Sequence, residues 1–230
     1  MKKEYILAIE TSTEYLSIAL TNGEVVVVRD CVAGQKHSEL VLPMIEDVLA
    51  EAGVDRTSLH AIAFGVGPGS FTGLRIACGV TQGLAFGLGL PVIAVSTLEA
   101  VAEATERDKV VVALDARMGE IYFAAFEREG AEWKASTEGC LCKPSDSPQL
   151  LGGDWYGAGS GFGVHSEALT ACYTSQLIGV DAGVVPHAKT IVQIATRRFH
   201  QGKMISAFDA APVYIRNKVA LTIEEQAAIR

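Results

Sequence analysis

Gly65-Val66-Gly67-Pro68-Gly69-Ser70-Phe71-Thr72-Gly73-Leu74-Arg75 is a glycine-rich turn set between two apolar runs. Leu59 to Phe64, before it, is short and apolar, as a buried strand is. Leu74 to Leu90, after it, has helical length and no charge beyond Arg75. The glycines let the backbone take positive φ and let another group approach bare amides. Thr72 is placed to cap the helix behind it, and free N–H groups at a helix start favour an anion. The stretch is therefore either a phosphate-facing loop or a tight strand-to-helix corner that binds nothing.

Better-known templates do not fit. A P-loop needs Lys-Ser or Lys-Thr after its last glycine, whereas Leu74-Arg75 follow Gly73. The dinucleotide fingerprint needs a third glycine where Thr72 stands. A serine elbow around Ser70 would need glycines in place of Pro68 and Thr72.

The 230 residues suffice for one large domain or two small lobes. A formal charge of −8 argues against free-standing nucleic-acid binding, which depends on neutralising many phosphates. Glu4 and Glu10 interrupt any signal-peptide core, and Leu84 to Val95, broken by Gly87, Gly89 and Pro91, is too short to span a bilayer. Five cysteines in a chain of this size point to a reducing cytoplasm. Cys140-x-Cys142 offers two thiols, but no second pair at zinc-finger spacing exists, and the five histidines are scattered. No metal site is expected.

Taken in order, Tyr5 to Ile9 reads as a strand and Glu10-Thr11-Ser12-Thr13 as a polar turn. Tyr15 to Leu20 and Val25 to Arg29 form a hairpin about Asn22-Gly23. His37 or Ser38 opens a helix that runs to about Ala52, closed by Gly53 and interrupted by Pro43. At about 100° per residue its apolar side chains cover roughly 200° of the circumference, twice the width of an ordinary core-facing stripe. The next helix carries Gly79, Gly83 and Gly87 four apart, each costing about 1 kcal/mol of helix stability relative to alanine. Such a row makes sense where another helix comes close, either the Ser38–Ala52 helix or a helix of a second chain. Together the two helices carry more apolar surface than one lobe needs, which marks an interface.

Pro91 to Ala94 is a further strand and Thr97 to about Glu106 a helix; the polar stretch Glu103 to Lys109 marks a hinge. Beyond it, Val110 to Leu114, the turn Asp115-Ala116-Arg117-Met118-Gly119 and Glu120 to Phe126 echo the opening strand-turn-strand, as an internal duplication would. Thr137 to Leu169 reads as loops with short strands, Ala188 to Gln201 as a helix, Pro212 to Arg216 as an extended segment and Thr222 to Arg230 as a tail. The expected division is an N-terminal lobe over residues 1–105, a C-terminal lobe over 106–216 and a tail over 217–230. Asp115 with Glu120, or Glu10 with Asp115, are the paired carboxylates that could meet between the lobes.

Ile9-Glu10-Thr11-Ser12, the run Gly67 to Arg75, and Asp115-Ala116-Arg117-Met118-Gly119-Glu120-Ile121-Tyr122 together resemble the TsaB (YeaZ) family. The resemblance is specific from Tyr5 to Tyr122 and thinner beyond. It implies an α/β, actin-like ATPase (ASKHA) fold: two lobes of mixed sheet with helices, the second degenerate. It also implies a part in making N6-threonylcarbamoyladenosine at position 37 of tRNAs that decode ANN codons. In that system TsaD, a paralogue, performs the transfer, TsaB pairs with TsaD, and TsaE joins them.

In TsaD a His-Met-Glu-Gly-His run holds the catalytic metal. The matching stretch here is Thr97-Leu98-Glu99-Ala100-Val101, so the resemblance implies a non-catalytic scaffold. The alternative reading is a metal-dependent endopeptidase-like protein, or the partner of a glycoprotease-like paralogue. The family's meeting surface, with TsaD or with a second copy, maps onto Ser38, Val41, Leu42, Ile45, Leu49, Leu74, Ile76, Gly79, Val80, Gly83 and Gly87. Thr11, Ser12, Gly67, Gly69, Ser70, Thr72, Gly73 and Arg75 are the phosphate-facing candidates. Glu10, Asp115, Arg117 and Glu120 are inter-lobe or structural candidates. No cofactor is expected except ATP or ADP at a site shared with partners, and tRNA is expected to be met only through the complex.

Overall fold

The computed structural model describes residues 3–216, so the expected tail lies outside the described residues. The chain forms β1 (Tyr5–Glu10), β2 (Tyr15–Thr21), β3 (Val26–Val32), α1 (His37–Ala52), β4 (Leu59–Gly67), α2 (Phe71–Leu88), β5 (Val92–Ser96) and α3 (Thr97–Ala104). It continues with β6 (Lys109–Asp115), β7 (Ile121–Glu129), β8 (Glu132–Cys142), β9 (Trp155–Ala158), α4 (Gly161–Val164), α5 (Ser166–Tyr173), β10 (Leu177–Asp181) and α6 (Ala188–His200).

The strands make two five-stranded sheets, ordered β3-β2-β1-β4-β5 and β10-β9-β6-β7-β8. In each, an antiparallel meander of three strands is followed by two strands added in parallel on the other side. The echo expected from the opening strand-turn-strand therefore extends through the whole second sheet. What has shrunk in the second lobe is its helices: α4 and α5 have 4 and 8 residues, against 16 and 18 for α1 and α2.

Alternation along the strands sends successive side chains to opposite faces. Leu7 and Ile9 of β1 meet Val41, Ile45, Val48 and Leu49 of α1 and Ala77 and Ala85 of α2. Ile6 and Ala8 point the other way, into an alanine-rich layer with Ala19, Ala61 and Ala63, against Ile191, Ile194 and Ala195 of α6. Small side chains on both surfaces let that helix lie close. In the second sheet, Val110, Val112 and Leu114 receive Leu98, Val101 and Ala102 of α3. Val111 and Ala113 face Trp155, Phe162, Leu169 and Tyr173. The layers thus run α1 and α2, first sheet, α6 with α3, second sheet, α4 and α5.

Several expectations are corrected here. The boundary near residue 106 separates the sheets, but α6, although it follows the second sheet in sequence, packs on the first. Thr137 to Leu169 is not mainly loop: β8 runs through Cys142, β9 follows, and α4 and the first half of α5 lie within it. β8 is a half-exposed edge strand whose middle, Ser136-Thr137-Glu138-Gly139, carries the composition of a turn. β10, another exposed edge, has no counterpart in the sequence reading. The hinge stretch holds a buried junction: Glu103 Oε1 accepts from Arg197 of α6 at 2.9 Å, and Oε2 accepts from Trp133 Nε1 at 2.6 Å and Arg128 at 3.2 Å. Burial pulls the Glu103 carboxyl up, but the bonds from Arg197 and Trp133 and the charges of Arg197 and Arg128 together hold it below the usual range. One carboxylate so ties α6, seated on the first sheet, to the β7–β8 hairpin of the second.

Candidate functional site

A cleft of about 990 Å³ opens between the lobes. Ser12, Gly69, Ser70, Phe71 and Arg75 line it from the first lobe, Asp115, Arg117, Met118 and Ser160 from the second, and Val213 to Arg216 cross between them.

The glycine-rich turn is largely consumed by its own neighbours. β4 continues to Gly67 and α2 begins at Phe71, so the cap is Ser70, whose Oγ accepts from Gly73 N at 3.3 Å; the expected cap, Thr72, already lies inside the helix. Ser70 N donates to the Ser12 carbonyl at 2.7 Å, Thr11 Oγ1 to the Gly73 carbonyl at 2.6 Å, and Thr97 Oγ1 to the Pro68 carbonyl at 2.6 Å. A Cβ on Gly73 would land on the Thr11 carbonyl oxygen, so glycine is required there by the approach of the hydroxyl turn. Of the expected phosphate-facing residues, Thr11, Gly67 and Gly73 are buried, Thr72 is exposed outside the cleft lining, and Ser12, Gly69, Ser70 and Arg75 line the cleft. The Ser12 hydroxyl oxygen is buried without a hydrogen-bond partner.

Glu10 is 1% exposed beneath Gly65. Burial pushes its carboxyl up to about 7, against the opposing pull of Ser12 beside it. Glu10 does not pair with Asp115: its Oε1 accepts from Ser12 N, and Oε2 has no partner.

Asp115 opens a turn in which Arg117, Met118 and Gly119 all have left-handed φ, of 63°, 57° and 74°. Its Oδ1 accepts from Arg117 N at 3.1 Å, its own amide donates to Ser160 Oγ at 3.0 Å, and His165 Nε2 lies 3.5 Å from Oδ1. Glu120, the other half of the expected pair, is engaged elsewhere, with Arg216 Nη1 at 2.8 Å. The Arg117 guanidinium is 90% exposed. Only the chain's long-range path brings Ser160 and Tyr214 to this cleft and His165 beside Asp115; in the sequence, the extended segment Pro212–Arg216 is the one signal of it.

Other constellations resolve into structural roles. Ser17, His187 and Asp30 line up like a hydrolytic triad, with His187 Nδ1 3.5 Å from Ser17 Oγ and Nε2 3.0 Å from Asp30. Ser17 is 1% exposed, however, and its oxygen accepts from Ala188 N, while His187 Nδ1 accepts from Lys189 N; the group caps α6. In the stretch matched to the histidine run of TsaD, Thr97 bonds Pro68, Glu99 pairs with Arg198 at 2.6 Å and Val101 is in the core. Burial and the neighbouring Cys140 push the Cys142 thiol up to about 12. Among the described residues, no group of three or more His, Cys, Asp or Glu is placed to hold a metal ion, and no helix is long and apolar enough to cross a membrane.

The expected meeting surface divides in two. Val41, Ile45 and Leu49 are 1–2% exposed, packed inside this chain's own core, because the first sheet reaches further around α1 than the sequence suggests; Leu74 is equally buried, at the floor of the cleft. Ser38, Leu42, Gly79, Gly83 and Gly87 are exposed, and Ile76 and Val80 half-buried. A Cβ at Gly79, Gly83 or Gly87 would meet nothing within 4 Å, so α1 does not account for the glycine row.

Two lobes with duplicated mixed sheets and a cleft between them define the actin-like class. AlfA from a filament bound to AMPPNP shares that fold, with a TM-score of 0.50 at 6% identity over 86% of this chain and 99% of that one. A family model described as TsaD, tRNA N6-adenosine threonylcarbamoyltransferase, matches residues 28–220. The tRNA threonylcarbamoyladenosine biosynthesis protein TsaB of Escherichia coli (strain K12) is 37% identical, covering 94% of this chain and 96% of that protein. Its Haemophilus influenzae counterpart is 36% identical over 95% and 96%. YeaZ from Pseudomonas aeruginosa superposes with a TM-score of 0.86 at 36% identity, covering 92% of this chain and 99% of that one. The chain belongs to the TsaB (YeaZ) family.

Proposed function

We propose that this chain takes part in N6-threonylcarbamoyladenosine biosynthesis on ANN-decoding tRNAs as a non-catalytic scaffold that binds and supports TsaD, with TsaE joining the pair. The names of the Escherichia coli and Haemophilus influenzae relatives support the pathway. The observation that carries the scaffold role is the outer face of α2, where Gly79, Gly83 and Gly87 stand open on the same helix as half-buried Ile76 and Val80. Three glycines there cost helix stability and are repaid only by a helix that packs close. That helix belongs to TsaD in the complex, and to a second copy when the chain is alone. tRNA is met through the assembled complex. The internal bonding of Thr11 and Gly73 favours ATP or ADP only at a site shared with a partner.

The test is reconstituted transfer from threonylcarbamoyl-AMP to tRNA by TsaD and TsaE. Wild-type chain stimulates it and Gly83→Leu does not. Equal stimulation by the two would refute the scaffold face, and turnover by this chain without TsaD would refute the non-catalytic role.

A further inference from the structure

Residues 213–216 run across the cleft and hold both lobes. On the first lobe, Val213 N donates to the Val66 carbonyl at 2.8 Å, and the Tyr214 hydroxyl accepts from Arg75 Nε at 3.1 Å. The Tyr214 ring lies 5.3 Å from that of Phe71, over which the Arg75 guanidinium also sits. On the second lobe, Arg216 pairs with Glu120 at 2.8 Å and donates to the Ala116 carbonyl at 3.1 Å. Its guanidinium thereby grips both ends of the turn in which Arg117 and Met118 hold left-handed φ, a conformation that persists only where surrounding contacts determine it.

The Glu103 junction lies at the other end of the lobes. Tyr122, at the start of β7, lines the cleft, and Arg128 six residues on binds Glu103, about 20 Å away along the strand. From these two attachments we infer that residues 213–216 are a clasp: they set the opening of the cleft at its mouth, and the lobes pivot about Glu103 when the clasp is released. Tyr214 and Arg216 also line the cleft, so a molecule that fills it touches the clasp. This inference does not depend on the scaffold reading, since all its contacts are within one chain.

Amide hydrogen exchange on the full chain tests it, comparing wild type with Arg216→Ala. Peptides covering 115–122 and 68–75 should exchange at least about tenfold faster in the variant, the loss expected for a charge-assisted bond, while β1 and β4 keep their protection. Unchanged exchange in 115–122 would overturn the clasp. So would uniform acceleration that includes β1, because Arg216 would then serve global stability alone. If Arg216→Ala does not fold, Arg216→Lys decides the matter. Lysine keeps one of the two bonds and should give intermediate exchange at 115–122; exchange equal to wild type would overturn the inference.

Discussion

The Glu10 carboxylate occupies the space that a side chain at Gly65 would need: a Cβ built on that glycine lands on Glu10 Oε2. The first strand's last residue is thereby folded under the glycine turn. An ionisable group is buried there with only Ser12 to satisfy it, and its carboxyl is pushed up to about 7 by that burial.

Stability should therefore depend on pH through Glu10. The folded state holds this proton more tightly than the unfolded chain, where the value is near 4.5. The contribution is complete below about 4.5 and is lost as the pH rises through about 7. Glu10→Gln should flatten that slope and leave the variant more stable at pH 8 by roughly 3 kcal/mol. Urea unfolding at pH 5 and pH 8 measures it; parallel losses in parent and variant would contradict the assignment.

The helix start is decided by Ser70, not Thr72. Ser70→Ala should cost about 1 kcal/mol, the usual loss of an N-cap, and Thr72→Ala a few tenths at most. Thermal melts of the two variants give the comparison directly.

Glycines in the same helix should behave oppositely. Gly73→Ala forces a methyl group onto the Thr11 backbone and should cost about 2–3 kcal/mol. Gly83→Ala points into open space and should stabilise the chain by about 1 kcal/mol. A loss of stability at position 83 would mean that α2 already packs closely against something in the isolated chain.

Removing the lobe junction should be severe. Glu103→Ala leaves Arg197 and Arg128 facing a site with no carboxylate and should cost roughly 3 kcal/mol, as broken buried pairs do. Chemical denaturation measures it, and a cost under about 1 kcal/mol would show that water satisfies the arginines.

Much of this was legible in the sequence because local pattern and packing agreed. The hairpin at Asn22-Gly23, the helix closed by Gly53 and the strand-turn-helix at the glycine run are each set by neighbouring residues, and the structure has them. Legibility failed where the cause lies far along the chain. Nothing near Val41 or Leu49 says how far the first sheet wraps α1, so buried residues looked like surface. Ser160 reaches the cleft through the parallel pairing of β9 on β6, and Tyr214 through the return of residues 213–216. Strand β8 was hidden because an edge strand with one exposed face can be built from turn-like residues.

On the proposed scaffold role, TsaD binds the open glycine face of α2. Light-scattering mass after size exclusion tests it most directly, on the chain alone and mixed with purified TsaD, for wild type and Gly83→Leu. Wild type should form a one-to-one complex and the variant should run as separate species, with its own melting temperature unchanged or higher. A Gly83→Leu chain that joins TsaD as fully as wild type would contradict it.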